Sequence, residues 1–120
     1  MIIKQLSVFL EDKAGRLTEM TRILAENDIN ISAFSIADAP DYGIIRLIVG
    51  RPELALEVLK KNGFSVNTTD VVCIVVPNTP GGLHKVLKLL SDHGISIDYM
   101  YAFAVENSAS VVLRSSGVDE

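Results

Sequence analysis

A chain of 120 residues, 48% of them apolar, with a formal net charge of −4, can bury one ordinary core or two small ones and is neither disordered nor fibrous. Its 11 Lys and Arg are scattered, the widest cluster being Lys60 and Lys61, which argues against a nucleic-acid binder that works through phosphate contacts. No apolar run approaches the roughly 20 residues of a membrane span, the N-terminal MIIKQLSVFLEDKAG lacks a cationic leader region and a small-residue cleavage site, and the one cysteine, Cys73, cannot form an internal disulfide, so a cytoplasmic protein is expected, with Cys73 a small buried hydrophobe in the run VVCIVV.

In chain order, Lys4 to Leu10 alternate with Leu6, Val8 and Leu10 on one face, the period of a half-buried strand. A helix follows, with Leu17, Met20, Ile23 and Leu24 at helical spacing and Asp12 as its N-cap. INISAFSI and YGIIRLIVG are two strands joined by DAPD, Asp38 to Asp41, where Pro40 blocks helix continuation. Alternation places Asn30 with Ser32, Phe34 and Ile36, and turns Ile29 and Ile31 the other way. RPELALEVLKKNGF is a second helix, with Pro52 in its first turn, Glu53 near the positive end, the two lysines near the negative end and Gly63 as its stop. FSVNTT closes the unit as a fourth strand, giving βαββαβ.

The pattern then recurs. Shifting the chain by 66 positions, so that Gly15 falls on Gly81, also superposes Leu17 on Leu83, Leu24 on Leu90, Ile29 on Ile95, Ile31 on Ile97 and Leu47 on Leu113 without a gap. Repetition at fixed spacing marks a tandem: residues 1–68 form the first domain and 69–120 a second, incomplete one. VNTTDVVCIVV runs from the last strand of one copy into the first strand of the next with no Gly/Ser linker, which favours rigid packing of the two. The second copy stops where its second helix should begin, at SSGVDE, which reads as a shortened form of a longer polypeptide and leaves that sheet partly uncovered, with an open edge able to pair with another chain. The fold class is therefore α+β, ferredoxin-like βαββαβ in tandem, with antiparallel sheets and helices on one face.

With this topology in duplicate, an Asp-x-x-Gly turn at the first strand-to-helix junction, ENDINISAF before the second strand, and NTPGGL and DHGISIDYM in the second copy, the chain resembles the ACT domain family of small-molecule regulatory modules over effectively its whole length. The resemblance implies binding of an amino acid or similar metabolite in the seam between ACT units. It also implies that the strand-to-helix loop and the start of the neighbouring unit's second strand make the contacts. Position by position, this carries over to Asp12, Gly15 and Asn30 in the first copy and to Asn78, Gly81 and Ser96 in the second, where Gly82 adds exposed backbone. Glycine permits close backbone approach, and N–H groups at a helix start favour an α-carboxylate by about 0.3–1 kcal/mol. The first copy has Ala14 where the second has Pro80, and Asp12, where Asn78 stands in the second, would repel an anion. NTPGGL is thus the better carboxylate acceptor.

Other readings of these residues stand beside the functional one. Asp12 and Asn78 are most simply helix caps, and Gly15 and Gly81 serve tight helix-on-sheet packing as readily as a ligand. His84 faces solvent on a first turn, His93 complements a helix end, and no cluster with metal spacing accompanies them, so neither metal nor cofactor is expected. Tyr99, Tyr101 and Phe103 share a face that serves as packing surface, ligand wall or both. An acylphosphatase-like enzyme would want an anion-binding arginine in a glycine-rich loop, and Arg16 beside Gly15 has neither that loop nor a nucleophile and base. An RNA-binding module would want an aromatic ladder that YGIIRLIVG lacks. A module that only dimerises stays open. The expected protein is non-catalytic and regulatory, working as a homodimer or on a partner enzyme, without nucleic acid or membrane.

Overall fold

The computed structural model describes residues 1–11, 13–38 and 42–115. Asp12, proposed above as a cap and ligand residue, lies outside the described residues, as does Pro40. Nine elements follow one another: β1 (Ile2–Leu10), α1 (Lys13–Glu26), β2 (Ile31–Asp38), β3 (Gly43–Val49), α2 (Pro52–Lys61), β4 (Ser65–Pro77), α3 (Gly82–Asp92), β5 (Ile97–Val105) and β6 (Ser108–Ser115). The six strands and three helices form a tandem ferredoxin-like α+β fold. The chain divides into two compact units, Lys4–Thr69 and Met1–Ile3 with Asp70–Glu120. FSVNTT and VVCIVV do not form separate strands, because β4 runs through both as one strand of 13 residues.

In the first unit the strands are ordered β2-β3-β1-β4. Leu6, Val8 and Leu10 are fully buried, as their alternation requires, and pack with Met20, Ile23 and Leu24 of α1, Ile45 and Leu47 of β3, and Ala55 and Leu59 of α2. Registers of Leu6 against Leu47 and Val8 against Ile45 place these side chains on the helix-covered face. Pro52 opens α2, with Glu53 in its first turn and Lys60 and Lys61 in its last, so the charges complement the dipole as the sequence indicates.

The three helices among the described residues end the same way. Asn27, Asn62 and His93 each reach back with a side-chain nitrogen to the carbonyl four residues earlier, at 2.8, 2.7 and 2.9 Å. A residue at positive φ comes next, Asp28, Gly63 or Gly94. Then the N–H groups of Ile29, Phe64 and Ile95 donate to Leu24, Leu59 and Leu90 at 2.9, 3.0 and 3.0 Å. This is the Schellman ending, in which a reversed residue satisfies the last carbonyls and an apolar residue folds back over the helix end. In α1 the reversed residue is Asp28, whose carbonyl accepts a hydrogen bond from Arg51.

Simple alternation fails in β2. A bulge between Ile31 and Ala33 sets Ile31 against Val49, Phe34 against Leu47 and Ile36 against Ile45. Ile31 therefore shares the helix side with Phe34 and Ile36, while Asn30 precedes the strand and its carbonyl accepts the Gly50 N–H at 3.0 Å. An extra residue in one strand resets the two-residue period beyond it. β5 has its bulge between Ile97 and Tyr99, the same place after the shift of 66.

The second unit orders its strands β4-β6-β5. Val76, Val111 and Leu113 form its core, with Val86 and Leu90 of α3 and Met100 of β5 packed against them. Tyr99, Tyr101 and Phe103 pair with Arg114, Val112 and Ser110, on the face away from that core, so they do not supply its packing. The flank of β4 expected to be open is occupied instead at Cys73, whose N–H donates to the Met1 carbonyl at 2.8 Å, and Met1–Ile3 belong to this unit. Cys73 itself is only half-buried. With one helix over the sheet, Leu89 of α3 is 59% exposed. Truncating Leu59, which is fully buried, should cost about 2–5 kcal/mol through lost transfer energy and an unfilled cavity. Urea unfolding should show a lower midpoint at unchanged slope.

Candidate functional site

The sequence between β4 and α3, Asn78-Thr79-Pro80-Gly81-Gly82, turns the chain from strand to helix in four steps. Thr79 offers its carbonyl to the Gly82 N–H at 3.0 Å. Gly81 then sits at φ 84° as the N-cap, in the left-handed region where a side chain costs about 1–2 kcal/mol. Gly82 is buried, and a Cβ on it would lie 2.3 Å from the Pro77 carbonyl oxygen. Two adjacent glycines are thus needed for different reasons, one for its dihedral angle and one for the contact. Pro80 and this turn start α3 at Gly82, whereas α1 begins at Lys13 with Gly15 inside its first turn, exposed. The two glycines matched by the repeat do different jobs.

Asn78 is not the helix cap. No side chain caps α3. Instead the Asn78 backbone N–H donates to the Asn107 carbonyl at 2.9 Å, and its side-chain amide donates to the Glu106 carbonyl at 3.1 Å. Glu106 and Asn107 form the two-residue turn between β5 and β6, with Glu106 at φ 56°. The loop and the hairpin tip are therefore clamped together, and with glycine at the N-cap the N–H groups of Leu83 and His84 receive no side-chain acceptor. Such groups, at the positive end of a helix, are suited to an anion.

Beside this loop lies a groove of about 270 Å³, with Asn78 and Thr79 at its polar end and Leu83, Ala102 and Val111 among its apolar walls. The sequence reasoning named Asn78 but did not single out Thr79, Leu83 or Ala102. The helical period of Leu83 and the alternation of Ala102 with Tyr101 and Phe103 were the available signals. Of the other expected residues, Ser96 is exposed just before β5, beyond the far end of α3 from the loop, a helix of 11 residues and about 16 Å. Asn30 borders a separate depression with Ala25, Asp28 and Ile29. Within each unit, then, the strand-to-helix loop and the start of the second strand stand at opposite ends of the intervening helix. Among the described residues no group of His, Cys, Asp and Glu could hold a metal ion, and no helix is long and apolar enough to cross a membrane.

Comparison with known proteins places this loop in a family setting. Residues 1–120 match the profile of the ACT domain pair. A Bacteroides thetaiotaomicron protein of solved structure is 55% identical, with a TM-score of 0.96, over 99% of this chain and 83% of that one. The regulatory subunits of aspartate kinase from Thermus thermophilus and Thermus flavus are 17% and 16% identical, with TM-scores of 0.73 and 0.69. They are matched over 94% of this chain and 87% and 85% of theirs, and at that identity they share the fold alone. No curated protein matches. The glycine pair yields a direct test: Gly81→Ala should lose about 1–2 kcal/mol through its dihedral angle, and Gly82→Ala should lose more, because the atom it meets is backbone. Denaturant unfolding of the two variants measures the order.

Proposed function

Because the chain belongs to the ACT domain pair family, we propose that it is a non-catalytic regulatory protein that binds an amino acid or a closely related metabolite, with the ligand carboxylate at the loop Asn78–Gly82. The observation that carries this reading is the groove of about 270 Å³ beside that loop. Uncapped N–H groups at the start of α3 and the amide of Asn78 supply polar contacts for the carboxylate, and Leu83, Ala102 and Val111 supply apolar surface for the side chain. One polar end and apolar walls suit an amino acid whose side chain is apolar.

Regulation follows from coupling the ligand to the hairpin. Since Asn78 already holds the turn at Glu106 and Asn107, a ligand that draws on the same amide shifts the balance between clamped and released hairpin by its differential affinity for the two. The protein acts in the cytoplasm, as a homodimer or on a partner enzyme. That Asn78 has a structural task favours one alternative, an interaction module that uses the loop only to hold its hairpin.

A thermal-shift screen against the twenty amino acids decides between them. A ligand of the folded state raises stability by about 2.7 kcal/mol at a hundredfold excess over its dissociation constant. The expected result is one selective hit that weakens in Thr79→Val and Leu83→Ala and persists in Lys88→Gln, on an exposed position of the same helix. No shift with any amino acid, in protein that unfolds cooperatively, would favour the interaction module.

A further inference from the structure

The first unit carries two adjoining depressions, of about 550 and 260 Å³, that share Phe9, Glu11 and Ser65. Tyr42 lines the larger, Arg16 and Gly63 the smaller. They share no residue with the groove beside Asn78. Phe9, at the end of β1, is 41% exposed, and Tyr42, just before β3, is 40% exposed. Their rings meet at 45° with centroids 5.6 Å apart, making an aromatic corner open to solvent. Large aromatic side chains left this exposed, next to each other and beside a carboxylate, call for an explanation that core packing does not provide.

Charge decides what the corner can hold. The Arg16 guanidinium is already engaged: it pairs with the Glu19 carboxylate, donates to the Gly63 carbonyl and lies 3.8 Å from the centre of the Phe64 ring. Arg16 and Glu19 cancel. Glu11 has no hydrogen-bond or ion-pair partner among the described residues. Among the described lining residues, therefore, one uncompensated negative charge stands beside two exposed aromatic rings. Ring faces are the negative part of an aromatic quadrupole, and together with a carboxylate they attract cations that are weakly hydrated enough to touch them. An inorganic cation would keep its water, and an anion would meet Glu11 and both rings.

We propose that this corner of the first unit is a binding site for an organic ammonium ion, its charged, alkyl-clad nitrogen set against the rings of Phe9 and Tyr42 and its counter-charge supplied by Glu11. The site is built from three elements, the end of β1, the approach to β3 and the start of β4, so it forms only in the folded unit.

The test is a titration of isotope-labelled protein with tetramethylammonium chloride, followed by amide and aromatic NMR shifts, with sodium chloride at matched ionic strength and the uncharged tert-butanol as controls. Saturating shifts at Phe9, Glu11, Tyr42 and Ser65 with the ammonium ion, and none with either control, are the expected result. Tyr42→Leu should weaken binding by roughly 2- to 30-fold, Tyr42→Phe should keep it because the ring is retained, and Glu11→Gln should weaken it and flatten its salt dependence. Equal shifts with tert-butanol, shifts that do not saturate, or unchanged affinity in Glu11→Gln with an otherwise superposable spectrum would each overturn the assignment.

Discussion

Each helix of this chain must return to the sheet it came from, and the turn that makes it do so is written three times. A side chain on the last helical carbonyls, a residue at positive φ, and an apolar residue whose N–H reaches back five positions recur at Asn27-Asp28-Ile29, Asn62-Gly63-Phe64 and His93-Gly94-Ile95. The turn fixes where the next strand begins. It also seats Ile29 and Phe64 in the core, so the end of a helix and the beginning of burial are one event. The register of β2 and β5, and through it which of their residues face a helix, follows from that starting point.

The two units use this shared frame unequally. In the first, α1 and α2 both cover the sheet and Leu59 is fully buried between them and the strands. In the second, α3 works alone among the described elements, and Gly82 is its one buried residue. A helix held by fewer apolar contacts depends more on how it starts. The close approach of Gly82 to the Pro77 carbonyl and the clamp from Asn78 to the hairpin tip provide that start, which puts structural and ligand-binding demands on the same five residues.

Much of this was legible in the sequence, for physical reasons that differ by element. The strand Leu6-Val8-Leu10 and the helix faces at Met20, Ile23, Leu24 and Leu59 were readable because one-sided burial imposes a period. Gly63 and Gly94 were readable as stops because few other residues reverse the backbone without strain. The bulges after Ile31 and Ile97 were not, since an extra residue leaves no compositional mark and simply shifts every side chain beyond it. Asn78 illustrates a different limit. Its residue type and position suit a helix cap, but its partners, the carbonyls of Glu106 and Asn107, are nearly thirty residues away in the chain, and local rules do not see them. Thr79, Leu83 and Ala102 meet in one groove only once that distant hairpin is in place.

The contact between Met1 and Cys73 has a further consequence. The amide of Cys73 finds its acceptor at Met1, so this part of the second unit closes a loop of more than seventy positions. Closing so long a loop is slow compared with the local turns that end the helices. Met1–Ile3 belong to the second unit while Leu6–Leu10 of β1 pair with β3 in the first, so a substitution near Met1 is felt first by residues that lie far along the sequence.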